Sequence, residues 1–255
     1  MLVLLPPSEG KTAPAAGAPV DLGALAFGAA LGKPRERVAR TLVKTSSGRE
    51  STALKALGLS SGQAGELAKN AALLGAPAGP ASEVYTGVLF ERLGLPSLPD
   101  DARASVLIFS ALWGVVRPDD RIPAYKLAMG AKLPRFATGL AAFWKPALTK
   151  ALPSEGLVLD LRSGAYAAAW APPGAGDAAR VVAVRGFTER EDGSRAVVSH
   201  MVKATRGEVA RLVLAAGAPG PASAEEVAEI VRAAGHAVEL TPAKSGTFLD
   251  VIERG

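Results

Sequence analysis

The chain has 255 residues, a formal charge of +5 and no cysteine, which excludes disulfides, thiolate metal sites and peroxide reduction through a sulfenic acid. Its two histidines, His200 and His236, are too few for a histidine-rich metal centre, so neither a metal nor another cofactor is expected. A 49% hydrophobic fraction and a mean hydropathy of +0.22 exclude general disorder, and a pI near 9.6 favours polyanionic partners only where the charge is concentrated.

Residues 2 to 5 read as a short buried strand stopped by Pro6 and Pro7. The apolar start is too short for a signal peptide or a membrane span, so the expectation is a cytoplasmic protein without a membrane partner. Ser8-Glu9-Gly10-Lys11-Thr12 ends like a P-loop, but that loop's first glycine falls on Leu5, and two prolines inside it lack the N–H groups that cradle phosphate. A nucleotide triphosphatase is therefore not expected. Lys11, at the end of a strand, is an anion contact or a plain surface lysine.

Residues 13 to 19 form a small-residue loop, 33 to 74 are helical with a break near Gly58, and 75 to 82 are a loop. Buried strands are expected at 105 to 109 and 157 to 161, with a helix over 139 to 152 carrying Phe143 and Trp144. Strands over 180 to 187 and 195 to 199 flank a hairpin turn at Glu191-Asp192-Gly193-Ser194. Helices over 200 to 216 and 223 to 234 precede strands near 237 to 240 and 247 to 252. The pattern predicts an α/β fold: one compact domain with a mixed sheet, flanking helices and a basic helical excursion at 33 to 74.

That excursion carries Lys33, Arg35, Arg37, Arg40, Lys44, Arg49, Lys55 and Lys69 against Glu36, Glu50 and Glu66, a surplus equal to the net charge of the whole chain. Within it, Leu54 to Leu67 resembles a helix-hairpin-helix, with Gly58 permitting the turn and Ser60 standing where a second glycine is usual. Amides at the start of the following helix, near Ser60 and Ser61, suit a phosphate oxygen. An ordinary αα-hairpin with a solvated basic face and a cap at Ser60 or Ser61 fits the same residues.

Further segments follow in a fixed order: Tyr85-x-Gly87, Gly114-x-x-Arg117-Pro118-x-Asp120, Tyr125-x-Leu127-x-Met129, Phe143-Trp144, Asp160 to Tyr166 and Lys203-x-x-Arg206-Gly207. As an ordered set reaching from Met1 nearly to the C-terminus, they resemble the YaaA family of peroxide stress proteins. The resemblance implies a compact α/β domain, a helix-hairpin-helix element, a positively charged cleft and binding of duplex or branched DNA. It also implies a link to hydrogen peroxide resistance and iron-driven damage, and it places Lys11, Tyr85, Arg117, Tyr125, Lys203 and Arg206 along the cleft. The chain departs from the family in its first loop, at Ala111 and Trp113, and at Lys126 and Ala128, where the family often has Arg and Glu.

Arg117 and Arg206 supply planar donor forks for phosphate, and Lys11, Lys126 and Lys203 supply point charges. Lys203 and Arg206 share a helix face, and Tyr85, Tyr125 and Trp113 are candidates to stack on bases. Trp113, Phe143, Trp144 and Tyr166 read first as core residues, and Arg117 before Pro118 also suits a turn cap. Two functions follow. One is a stress protein that binds DNA, largely without regard to sequence, through Lys11, Lys55, Gly58, Ser60, Ser61, Lys69, Tyr85, Arg117, Tyr125, Lys126, Lys203 and Arg206. The other is an enzyme acting on a nucleotide or nucleobase in the same cleft, with Glu9, Asp120, Asp160 or Glu189 as acid or base and Lys11 or Lys203 as a perturbed amine.

Overall fold

The computed structural model describes residues 1–153, 155–172, 180–196, 199–217, 219–243 and 245–254. Its main sheet has the order β4-β3-β1-β6-β7-β10-β9. The strands are β1 (Leu2–Leu5), β3 (Val106–Ser110), β4 (Gly114–Val116), β6 (Val158–Asp160), β7 (Val181–Glu189), β9 (Ala237–Ala243) and β10 (Gly246–Arg254). A short strand, β8 (Arg195–Ala196), pairs with the end of β7, and β2 (Gly79–Pro80) pairs apart from the sheet with β5 (Arg121–Ile122). β1 runs parallel to β3 on one side and β6 on the other, β7 and β10 continue in parallel, and only β4, β8 and β9 are antiparallel to their neighbours. All five residues of β3 are buried, as expected of a parallel strand covered on both faces.

The helices are α1 (Gly28–Ser46), α2 (Glu50–Leu57), α3 (Gly65–Ala71), α4 (Ala81–Val84), α5 (Val88–Leu93), α6 (Asp100–Ala104), α7 (Leu140–Ala151), α8 (Gly164–Ala167), α9 (Ser199–Ala215) and α10 (Ala224–Ala233). α1 buries Leu31, Arg35, Val38, Ala39 and Leu42, a helical stripe turned towards α3 and α7. On the other half of the molecule α9 covers β7 and packs against α5, while α10 lies on β9. Ser223 caps α10 by accepting the Glu226 amide at 3.2 Å.

The mixed sheet and single domain follow the sequence reading, with local corrections. α1 starts at Gly28 rather than Lys33 and carries Pro34 inside it, and a second break at Ser47 to Arg49 precedes the one at Gly58. The expected loop at 75 to 82 holds β2 and the start of α4, because its backbone finds partners in β5 and in the Pro118 and Asp120 carbonyls. The turn at 191 to 194 is present, with Gly193 at φ 79°. The strand expected over 195 to 199 is described only for Arg195–Ala196; residues 197 and 198 lie outside the described residues, and Ser199 opens α9.

Arg35 is the largest correction, because the charge pattern places it on a solvated face and it is fully buried. Its guanidinium donates to the carbonyls of Trp113 (3.0 Å), Val115 (2.7 Å), Ala26 (2.7 Å) and Leu25 (3.4 Å). Val115 lies in the end strand β4 and Trp113 in the turn that leads into it, so Arg35 stands where another strand would bond. Burial lowers its pKa to about 10, and Asp120 opposes that shift. Removing the fork strands several buried carbonyls at once, each costing about 1–3 kcal/mol. Arg35→Met is expected to destabilise the fold by at least about 3 kcal/mol in urea unfolding, and Arg35→Lys, lacking the fork, to recover less than half of that loss.

Candidate functional site

In open α/β sheets, ligands bind beyond the carboxyl ends of strands where the strand order reverses. Here that point is the end of β1, whose two parallel neighbours come from later parts of the chain. A cavity of about 540 Å³ opens there, walled by the loop Pro6–Gly10, by Thr86 to Phe90 at the start of α5, by Ser163 and Tyr166 beyond β6, and by Lys203 and Arg206 on α9.

The β1 loop is held by its own side chains. The Ser8 hydroxyl donates to the Gly10 carbonyl and accepts the Thr86 amide at 3.1 Å, and the Thr12 amide reaches the Val84 carbonyl at 2.9 Å. Lys11 turns back to donate to the Ser8 carbonyl at 2.7 Å. Its Nζ lies 4.5 Å from the centre of the Tyr125 ring and 5.5 Å from that of Tyr85. Burial brings its pKa down to about 8, with Lys126 pushing the same way and Glu9 and Glu66 opposing. Glu9, the one carboxylate on the cavity wall among the described residues, is bound by Lys126 at 2.7 Å, and that bond holds its pKa below the usual carboxylate range.

Beneath Lys11 runs a chain of hydroxyls. Ser110 Oγ accepts the amides of Leu112 (3.1 Å) and Trp113 (3.0 Å) and lies 2.6 Å from the Tyr125 hydroxyl, which lies 2.9 Å from that of Tyr85. With both lone pairs of Ser110 taken by amides, its proton goes to a tyrosine oxygen. One tyrosine then donates to the other. Three protons therefore have only two acceptors inside the chain, and one hydroxyl is left to donate elsewhere. Burial raises the pKa of both tyrosines, so they stay protonated at neutral pH.

The sequence-derived candidates divide into groups. Lys203 and Arg206 share the wall of the cavity as their spacing on one helix predicts; Arg206 also donates to the Val184 carbonyl at 3.1 Å. Lys11 and Lys126 stand beside it through Ser8 and Glu9. Tyr85 and Tyr125 are 1% and 2% exposed, so their faces are closed to bases and their role is to seat Lys11. Arg117 does not reach the cavity: it donates to the Ala104 carbonyl at 2.7 Å and lies over Phe27. Trp113 and Trp144 are core residues as expected, whereas Tyr166, read from the sequence as core, lines the cavity instead. Asp120 is spent on the amides of Ala26 and Arg117, Asp160 on Arg162, and Glu189 lies 3.8 Å from Arg195, so Glu9 alone of the proposed acids touches the cavity.

Lys55, Gly58, Ser60, Ser61 and Lys69 are exposed on the α2–α3 hairpin, outside the cavity. Gly58 takes φ 67° to end α2, with the Leu59 amide bonded to Leu54 and its own amide to Lys55; Ser60 follows, its amide held by Gln63 at 3.1 Å. Lys69 pairs with Glu66 at 2.9 Å. α3 is docked beside the site by Asn70, whose amide group exchanges two hydrogen bonds with the Lys126 backbone at 2.8 and 2.9 Å. The cations of the excursion are divided: Arg35 is buried, and Lys55 and Lys69 lie on the hairpin. A second groove, about 420 Å³, collects Arg40, Lys44, Arg49 and Arg135. Among the described residues Lys44, Arg49 and Arg135 make no ion pair, while Arg40 pairs with Glu36 at 2.8 Å. Sequence spacing gave no signal for Arg135, which lies far along the chain.

Gly207 explains the last motif. A Cβ there would sit 2.3 Å from the Leu89 carbonyl, so only glycine lets α9 press against α5 and bring Lys203 and Arg206 to the wall. Among the described residues, no group of three or more histidines and carboxylates gathers as a metal site, and no helix is long and apolar enough to cross a membrane.

A family model described as peroxide stress protein YaaA matches residues 1–239. A UPF0246 protein of Streptomyces coelicolor is 48% identical over 99% of this chain and 98% of its own. UPF0246 proteins of Corynebacterium efficiens and Corynebacterium glutamicum are 42% and 39% identical, each over 99% of this chain and 100% of the relative.

Two expectations follow from the site. Because the folded pKa of Lys11 lies below its ordinary 10.5, the unfolded chain holds the extra proton between about pH 8 and 10.5, and stability rises with pH across that window. Lys11→Met should remove that rise, up to on the order of 3 kcal/mol, when unfolding is compared at about pH 7 and about pH 10. Gly207→Ala should force α5 and α9 apart and cost about 2 kcal/mol, read as a fall in the thermal midpoint.

Proposed function

Because the chain belongs to the peroxide stress protein YaaA family, we propose that it serves peroxide defence by binding duplex or branched DNA through the cavity at the end of β1. The observation that carries this reading is the charge of the cavity wall. Lys203 and Arg206 face it, and Glu9, its single carboxylate among the described residues, is already neutralised by Lys126. A phosphodiester entering there meets unopposed cations, and an Arg fork suits its oxygens. The exposed turn Gly58 to Ser61, with Lys55, and the groove of Lys44, Arg49 and Arg135 offer further backbone contacts. Such contacts carry no base information, so binding is largely independent of sequence. With no cysteine for peroxide chemistry, the protein acts on the damage target rather than on the oxidant.

An enzyme acting on a nucleotide or base in the same cavity is the second reading, and one observation favours it: the Lys11 amine, brought close to neutrality beside the cavity wall.

Fluorescence anisotropy with labelled duplex and junction DNA tests the first reading. Binding should weaken steeply with salt, and the double substitution Lys203→Ala/Arg206→Ala should weaken it and lower the salt slope by about 2. A flat salt response, or no binding to either DNA, would sink the reading. Purified protein without added metal should leave hydrogen peroxide unconsumed in a colorimetric assay; direct consumption would contradict action on the target.

A further inference from the structure

We propose that Lys11 is a nucleophilic amine that captures aldehydic sugar lesions in DNA, such as an abasic site, as an imine. The inference rests on the DNA-binding reading above and names the substrate class of that site.

Geometry sets Lys11 apart from the other cations. It directly follows the Ser8-Glu9-Gly10 wall of the cavity, and its Nζ is 2.7 Å from the carbonyl of Ser8. That carbonyl is its one hydrogen-bond partner among the described residues, and no carboxylate lies within ion-pair distance. Glu9, the obvious counter-ion, is held by Lys126 instead. The two tyrosine rings face the ammonium in place of water, a smaller compensation than a paired carboxylate would give. A lysine used simply to bind phosphate gains from staying charged. One packed this way is readily neutral, and a neutral amine is the form that attacks carbonyls. The groups that surround it are Glu9, Lys126, Glu66, Tyr85 and Tyr125.

The substrate class follows from the walls and the biology of the family. Lys203 and Arg206 select a phosphorylated ligand, and radical damage that follows peroxide opens deoxyribose to aldehydes. In the step, the Nζ lone pair adds to the aldehyde carbon to give a carbinolamine. The former carbonyl oxygen then leaves as water, carrying the two hydrogens that were on nitrogen, and a C=N bond replaces C=O. No oxidant or reductant is consumed. The Ser110–Tyr125–Tyr85 chain beneath the amine has one hydroxyl hydrogen bond to spare for the departing oxygen, and it keeps its own protons.

The test incubates the whole protein with a duplex carrying one abasic site, and separately with 2-deoxyribose 5-phosphate, each with sodium cyanoborohydride. Denaturing gels and peptide mass mapping then read the adducts, while anisotropy with the undamaged duplex is run alongside. Expected is a covalent adduct on Lys11 with both probes, lost in Lys11→Arg and retained in Lys132→Arg. Adducts mapping to Lys203, Lys126 or scattered lysines would overturn the proposal even if Lys11→Arg failed to fold, because mapping uses the unaltered chain. Binding of the undamaged duplex without any adduct refutes capture and leaves the DNA-binding reading intact. An adduct on Lys11 with the sugar phosphate but no DNA binding refutes that reading and with it the DNA lesion as substrate.

Discussion

The hydroxyl of Ser110 is the constraint on which the site depends. It sits at the end of the fully buried β3 and takes two backbone amides from the turn that follows. With its lone pairs filled, it must pass its proton to a tyrosine, and this pins the segments carrying Tyr125 and Tyr85 to the end of the strand. Their rings then form the platform on which the β1 loop lays Lys11. A chain of buried polar groups of this kind fixes positions more sharply than apolar packing, because any other arrangement leaves a donor without an acceptor.

The two halves of the molecule meet the cavity differently. The half around β1 and β3 supplies the buried, proton-rich floor and the amine. The half around β7, α9 and α5 supplies an exposed cationic wall, brought near by the contact at Gly207. Between them Glu9 and Lys126 cancel one another, so the wall keeps its excess positive charge while the amine keeps no acidic partner.

Much of the fold was legible because apolar runs such as Leu2 to Leu5 and Val106 to Phe109 have few alternatives to a buried strand. Lys203 and Arg206 were legible as a pair because helical spacing alone puts them on one face. Arg35 was not. Among seven other cations it reads as surface charge, and only the carbonyls of a distant strand edge make its burial favourable. Tyr85 and Tyr125 announced themselves through motif order, but their hydroxyl partner, Ser110, lies far from Tyr85 in sequence, so nothing local separated a stacking face from a buried anchor. Arg117 misled for the opposite reason: its charge suggested phosphate, and the nearer Ala104 carbonyl took it.

Each end strand of the main sheet carries a feature that hinders pairing with a further strand. At β4 the Arg35 guanidinium occupies the Val115 carbonyl, and at β9 Pro242 has no N–H to offer. A further strand would meet an occupied carbonyl at one margin and a missing donor at the other, which disfavours extending the sheet at those two points.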